Sequence, residues 1–229
     1  MPARQHLIFD ADDTLWENNI VFESVIADFI AWIDHPELGP GEVRRILDEV
    51  ETLHAVEHGY GTQVFALTLE VTAQRLRAGE LTADDRATIA GLLTRLAWDQ
   101  LELIDGVPET LAELRGRHDM LLLTKGNHEE QAHKIARSGL AHLFRRTVIT
   151  PEKTPDTYRT LVAEESLDPA RTWMIGNSPR SDILPAVEAG LRGVFVAHEH
   201  TWRLEHSELP ATHDRILQVP DFRALLEHF

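Results

Sequence analysis

Five short, unbroken apolar runs punctuate the chain: HLIF at 6–9, MLLLT at 120–124, TVIT at 147–150, TWMIG at 172–176 and GVFVA at 193–197. Runs that do not alternate with polar residues predict strands covered on both faces. Between them, apolar residues recur at three- and four-residue spacing over 107–117, 127–138, 155–165 and 179–189, which predicts helices. Gly139 and Gly190 stand where two of these helices should stop. A last helix is predicted at 221–228. Strand and helix alternate, so the predicted fold class is α/β, a Rossmann-like, doubly wound parallel sheet.

Residues 17–99 follow a different rhythm. Four stretches carry helical spacing with no strand-like run, and breaks fall at HPELGPG (35–41), HGYG (58–61) and AGELT (78–82). Four consecutive helices exceed an ordinary crossover connection. They predict an all-helical lobe, 17–99, inserted into a discontinuous core made of 1–16 and 100–229.

Composition narrows the partners. The 229 residues suffice for one good core and a smaller lobe. A formal charge of −16 opposes phosphate backbones and anionic lipid, so neither nucleic acid nor a membrane surface is expected as a partner. No apolar run approaches the ~18 residues of a membrane span. The first strand pattern begins by residue 6, which leaves no room for a signal peptide. The chain has no cysteine, hence no thiol nucleophile and no disulfide frame. A cytoplasmic enzyme is the expectation, and the pattern sets no oligomeric state. With so acidic a surface, an anionic substrate needs a local positive site.

In an open α/β sheet, ligands bind where strands end. The first predicted strand runs into Asp10, Asp12, Asp13 and Thr14; the second ends on Thr124 followed by Lys125 and Gly126. The third is followed by Lys153, and the fourth by GNSPRSD with Asn177 and Asp182. Carboxylates and an amide oxygen suit a hard cation such as Mg²⁺. A threonine hydroxyl, the N–H groups opening a helix and a lysine suit a phosphate.

These motifs, DADDT (10–14), Thr124 in LLLTKGN, Lys153 in TPEKTPD and IGNSPRSD (175–182), resemble in order those of the haloacid dehalogenase superfamily, on its phosphatase branch. The helical insertion is similar to the cap that many members carry between their first two motifs. The resemblance implies a Mg²⁺-dependent phosphatase of a small phosphorylated metabolite, working through an aspartyl-phosphate. Asp10 would be the nucleophile, and Asp12 the general acid and then base. Thr124, Lys125, Gly126 and Lys153 would hold the phosphate, and Asp10, Asp12, Asn177 and Asp182 the metal. Crowded by two other acids, Asp12 is expected in a mainly anionic setting. Its presence also argues against dehalogenase chemistry, since a departing halide needs no proton.

One position departs from the family pattern. Asn177 stands where the family usually has aspartate, and a neutral ligand should bind Mg²⁺ more weakly. The alternatives are a phosphomutase on the same scaffold and, because of Asn177, a weak or inactive phosphate-binding protein. Asp13 is expected to cap the turn. The Lys125 side chain, as distinct from its N–H, and the histidine-rich loop HEHTW (198–202) with His206 are expected to be largely solvated.

Overall fold

The computed structural model describes residues 4–77, 79–99 and 101–229. Two compact units emerge: Met1–Asn19 with Gln100–Phe229, and Ile20–Asp99.

The first unit is built on six strands, β1 (His6–Phe9), β2 (Asp119–Lys125), β3 (Arg146–Thr150), β4 (Thr172–Gly176), β5 (Arg192–Val196) and β6 (Ile216–Val219). They form one sheet in the order β3-β2-β1-β4-β5-β6, with every pairing parallel. This is the predicted Rossmann-like α/β sheet, extended by one strand. β6 escapes a reading of apolar runs because its four residues include Gln218 and stop at Pro220.

Side chains along β1 and β2 alternate between two cores. Leu7, Phe9 and Leu122 pack with Val107, Leu111, Leu114, Phe222 and Leu225 on one face. Ile8, Leu121 and Leu123 pack with Tyr158, Leu161 and Ala186 on the other. Burial on both faces is why these strands read as continuous apolar runs.

Eight α-helices are found among the described residues: α1 (Asn19–Ile33), α2 (Pro40–His58), α3 (Thr62–Arg77), α4 (Ala83–Leu92), α5 (Val107–Arg115), α6 (His128–Ser138), α7 (Pro155–Glu165) and α8 (Leu184–Glu188). Asn127 caps α6 and Thr154 caps α7, each accepting a backbone N–H from the first turn. The predicted helix at 179–189 opens instead as a π-turn, Pro179–Ile183, before α8. The predicted last helix is a 3-10 segment, Arg223–Glu227. In the Ile20–Asp99 unit, Val43, Leu47 and Val50 of α2 and Phe65, Leu69 and Ala73 of α3 are buried, and Phe22 meets Phe65 edge-on at 5.0 Å. No described helix is long and apolar enough to cross a membrane.

Candidate active site

The carboxyl ends of β1, β3 and β4 bring three charged side chains into one buried cluster. Lys153 Nζ donates to Asp10 Oδ1 and, at 2.7 Å, to Asp182 Oδ1. All three residues are buried, Asp182 completely. Asp182 arrives through the π-turn: the Ser178 carbonyl accepts from the N–H groups of both Asp182 (3.0 Å) and Ile183 (3.2 Å). The Ser178 N–H in turn donates to Asp182 Oδ2 at 3.0 Å. π-turns of this kind concentrate at functional sites.

Burial lifts the Asp182 carboxyl to about 7, the Asp10 charge adds to the lift, and Lys153 opposes it. Burial also pushes the Lys153 ammonium down, but Asp10 and Asp182 more than offset this and hold it above its ordinary range.

Thr14 closes the other side of Asp10. Its hydroxyl lies 3.0 Å from Asp10 Oδ2 and 3.2 Å from Asn177 Oδ1, and it accepts the Asn177 N–H at 3.1 Å. The Asn177 amide nitrogen donates to Thr201 Oγ1 at 2.9 Å. Two oxygens, one charged and one neutral, thus converge around a single hydroxyl beside Asp182. An all-oxygen donor set of this kind fits a hard divalent cation.

Asp12 does not have the mainly anionic setting that the sequence suggests. Its carboxylate accepts from Trp16 Nε1 at 2.7 Å, from Gln131 Nε2 at 2.8 Å and from Lys134 Nζ at 3.0 and 3.1 Å. Gln131 and Lys134 lie three residues apart on α6, so they share one face of that helix. Both are buried. The signal that could have found them is a glutamine and a lysine at the positions where α6 presents Ile135 inward.

The three residues closing β2 separate. Thr124 is buried and its hydroxyl donates to Gln131 Oε1 at 3.2 Å. Lys125, next along the strand, faces the opposite way. Its Nζ is bound to Glu205 Oε1 at 2.6 Å and Ser181 Oγ at 2.9 Å, with Glu152 at 3.4 Å. Its ammonium is therefore paired and not solvated. The Gly126 N–H, expected to face an anion, donates to the Thr150 carbonyl at 3.0 Å because β3 continues alongside it. With φ +131, Gly126 instead makes room for Gln131: a Cβ there would lie 3.3 Å from Nε2.

Asp13 caps, as its place in the turn predicts. Its Oδ1 accepts the N–H groups of Asn18 and Asn19 at 2.9 Å each, from a left-handed backbone with φ 58. The histidine-rich loop is not simply solvated. His198 Nε2 lies 3.3 Å from Glu17, and Asp13, Glu17 and His198 each bring one ligand-type atom within 4.8 Å of the others.

Burial lifts the Asp13 carboxyl to about 7, with Asp12 and Asp10 adding to it and the Asn19 and Asn18 N–H groups opposing. From about pH 4 to 7 the folded chain therefore holds a proton that the unfolded chain has lost. The stability linked to it is fully present below about pH 4 and lost as pH rises through about 7. Asp13→Asn keeps an acceptor for both N–H groups and removes the titration. It is expected to flatten the fall in unfolding free energy between pH 5 and 8 by on the order of 2–4 kcal/mol. Urea unfolding at the two pH values reads this directly, and an unchanged slope would count against the assignment to Asp13.

Residues 5–190 match the haloacid dehalogenase-like hydrolase family. The chain belongs to that family. A haloacid dehalogenase-like family hydrolase from Xanthomonas campestris has a solved structure that is 33% identical, with a TM-score of 0.83 over 99% of this chain and 96% of that one. The N-acylneuraminate-9-phosphatase of Mus musculus is 24% identical over 96% of this chain and 93% of that protein. The phosphoserine phosphatase of Thermus thermophilus is 35% identical over 92 residues, which cover 38% of this chain and 37% of that protein. As a haloacid dehalogenase-like hydrolase, the chain is an enzyme with phosphatase relatives.

Proposed function

We propose that this hydrolase is a Mg²⁺-dependent phosphatase that acts on a small phosphomonoester through an aspartyl-phosphate on Asp10. The observation that carries the reading is the buried Asp10–Lys153–Asp182 cluster, with a second acid, Asp12, two residues after the first. The two phosphatase relatives point the same way.

In this reading an Asp10 oxygen attacks phosphorus and the bond to the leaving oxygen breaks. Asp12 gives that oxygen a proton. Water then attacks the acyl phosphate, Asp12 takes its proton, and inorganic phosphate leaves with Asp10 restored. Lys153 offsets the charge of the nucleophile and the phosphoryl group, and the Thr124 hydroxyl serves a phosphoryl oxygen. Asp10, the Asp12 carbonyl, Asn177 and Asp182 would hold Mg²⁺, which when bound supplies positive charge to the transferring phosphoryl group.

The acid at residue 12 separates this reading from halide displacement, which has no use for a proton donor. Asp10→Asn is expected to reduce Mg²⁺-dependent phosphate release from p-nitrophenyl phosphate to background. Wild-type-like turnover by that variant would sink the mechanism. Phosphate-induced thermal stabilisation of the wild type without any turnover would instead favour the non-catalytic binding protein that Asn177 suggests.

A further inference from the structure

We propose that Gln131 is a positioning residue that holds the acid–base carboxylate of Asp12 in place. The proposal rests on the phosphatase reading above and names a residue that reading does not use.

Its side chain spans Thr124 and Asp12. Gln131 Oε1 accepts the Thr124 hydroxyl at 3.2 Å while Nε2 donates to Asp12 Oδ2 at 2.8 Å. The amide has a single sensible orientation here, because only its nitrogen can donate to a carboxylate. Gln131 is 4% exposed, so its amide is largely shielded from water. Glutamate in its place would set a second anion against Asp12, and an aliphatic side chain would leave both partners unserved.

Two further side chains hold the same carboxylate. Trp16 Nε1 holds Oδ1 at 2.7 Å, and Lys134 Nζ bridges both oxygens while Asn18 Oδ1 anchors the ammonium at 2.7 Å. Gly126, with its positive φ, is what allows Gln131 to approach this closely. The Thr124 O–H can go to Gln131 or to a phosphoryl oxygen but not to both. The bond that serves the reaction is therefore the one from Gln131 Nε2 to Asp12, which sets the reach of the proton donor relative to the bond that breaks. Misplacement by about 1 Å in such a geometry can cost on the order of 10²-fold in rate.

The test uses leaving-group dependence. p-Nitrophenolate departs with little help, whereas the phenolate of phenyl phosphate gains more from proton donation. Gln131→Leu is expected to lower kcat/KM for phenyl phosphate by about tenfold or more and that for p-nitrophenyl phosphate by less than about threefold, since positioned proton transfer contributes roughly 10²–10⁴-fold. Gln131→Met, with a flexible chain of similar length, should give the same pattern and guards against a folding defect in the leucine variant. Adding Asp12→Asn to either variant should cost no more than Asp12→Asn alone, because residues that act as one unit are not additive. Equal losses on both substrates, or additive losses with Asp12→Asn, overturn the proposal while leaving the phosphatase reading intact. An inactive wild type overturns that reading, and this proposal with it.

Discussion

Lys153→Met is expected to lower the unfolding free energy by about 3–5 kcal/mol and to reduce phosphate release to background. The lysine is 4% exposed and donates to both Asp10 and Asp182. Methionine preserves most of its volume but leaves two buried carboxylates facing each other with no cation between them. A buried charge whose partner is removed costs its full desolvation, which exceeds the net worth of the pair. The loss should therefore fall back when one of those charges is also removed. Lys153→Met with Asp182→Asn is expected to be more stable than Lys153→Met alone, a coupling that urea unfolding of the four-member cycle measures. Mg²⁺ should also raise the melting temperature of Lys153→Met by more than that of the wild type. A Lys153→Met protein as stable as the wild type would show that the cluster is not held by this cation.

The same cluster shows which parts of the molecule can be read from its sequence. Asp10, Lys153 and Asp182 each follow a short apolar run, and a parallel sheet delivers the ends of its strands to one edge. Their convergence follows from topology. Gln131, Lys134 and Glu205 carry no such mark, because they lie on α6 and on the 3-10 segment Arg203–Glu205, away from the strand ends, and their pairings with Asp12 and Lys125 exist only after the elements pack. Lys125 illustrates the limit most directly. Adjacent to Thr124 in sequence, it points the other way across the pleat and spends its charge on Glu205. The 179–189 segment has helical periodicity, yet periodicity is blind to the extra residue in the π-turn that swings Asp182 inward. β6 is missed because it is short, carries Gln218 and is partly exposed, so it lacks the unbroken apolar character of the strands at the centre of the sheet.

Gly176→Ala is the smallest change expected to have an effect of comparable size. Gly176 closes β4 between the two carboxylates, and a methyl group there would stand 2.2 Å from Asp182 Oδ2 and 3.0 Å from the Asp10 Cβ. Its φ is not positive, so the penalty is steric and not a matter of backbone strain. Inserting a methyl into a packed site costs typically about 1–3 kcal/mol. Here the displaced atom also leaves the Ser178 N–H and disturbs the Lys153 pair, so the loss should reach about 3–5 kcal/mol. Mg²⁺-dependent phosphate release should fall with it, because the same movement shifts Asp10. The cause can be isolated: in an Asp182→Ala background the overlap with the carboxylate is gone and only the 3.0 Å approach to the Asp10 Cβ remains. Gly176→Ala should therefore cost clearly less there than in the wild type. If Gly176→Ala melts with the wild type, Asp182 can move aside without loss, and the close approach of that carboxylate to the strand end is not what holds the site together.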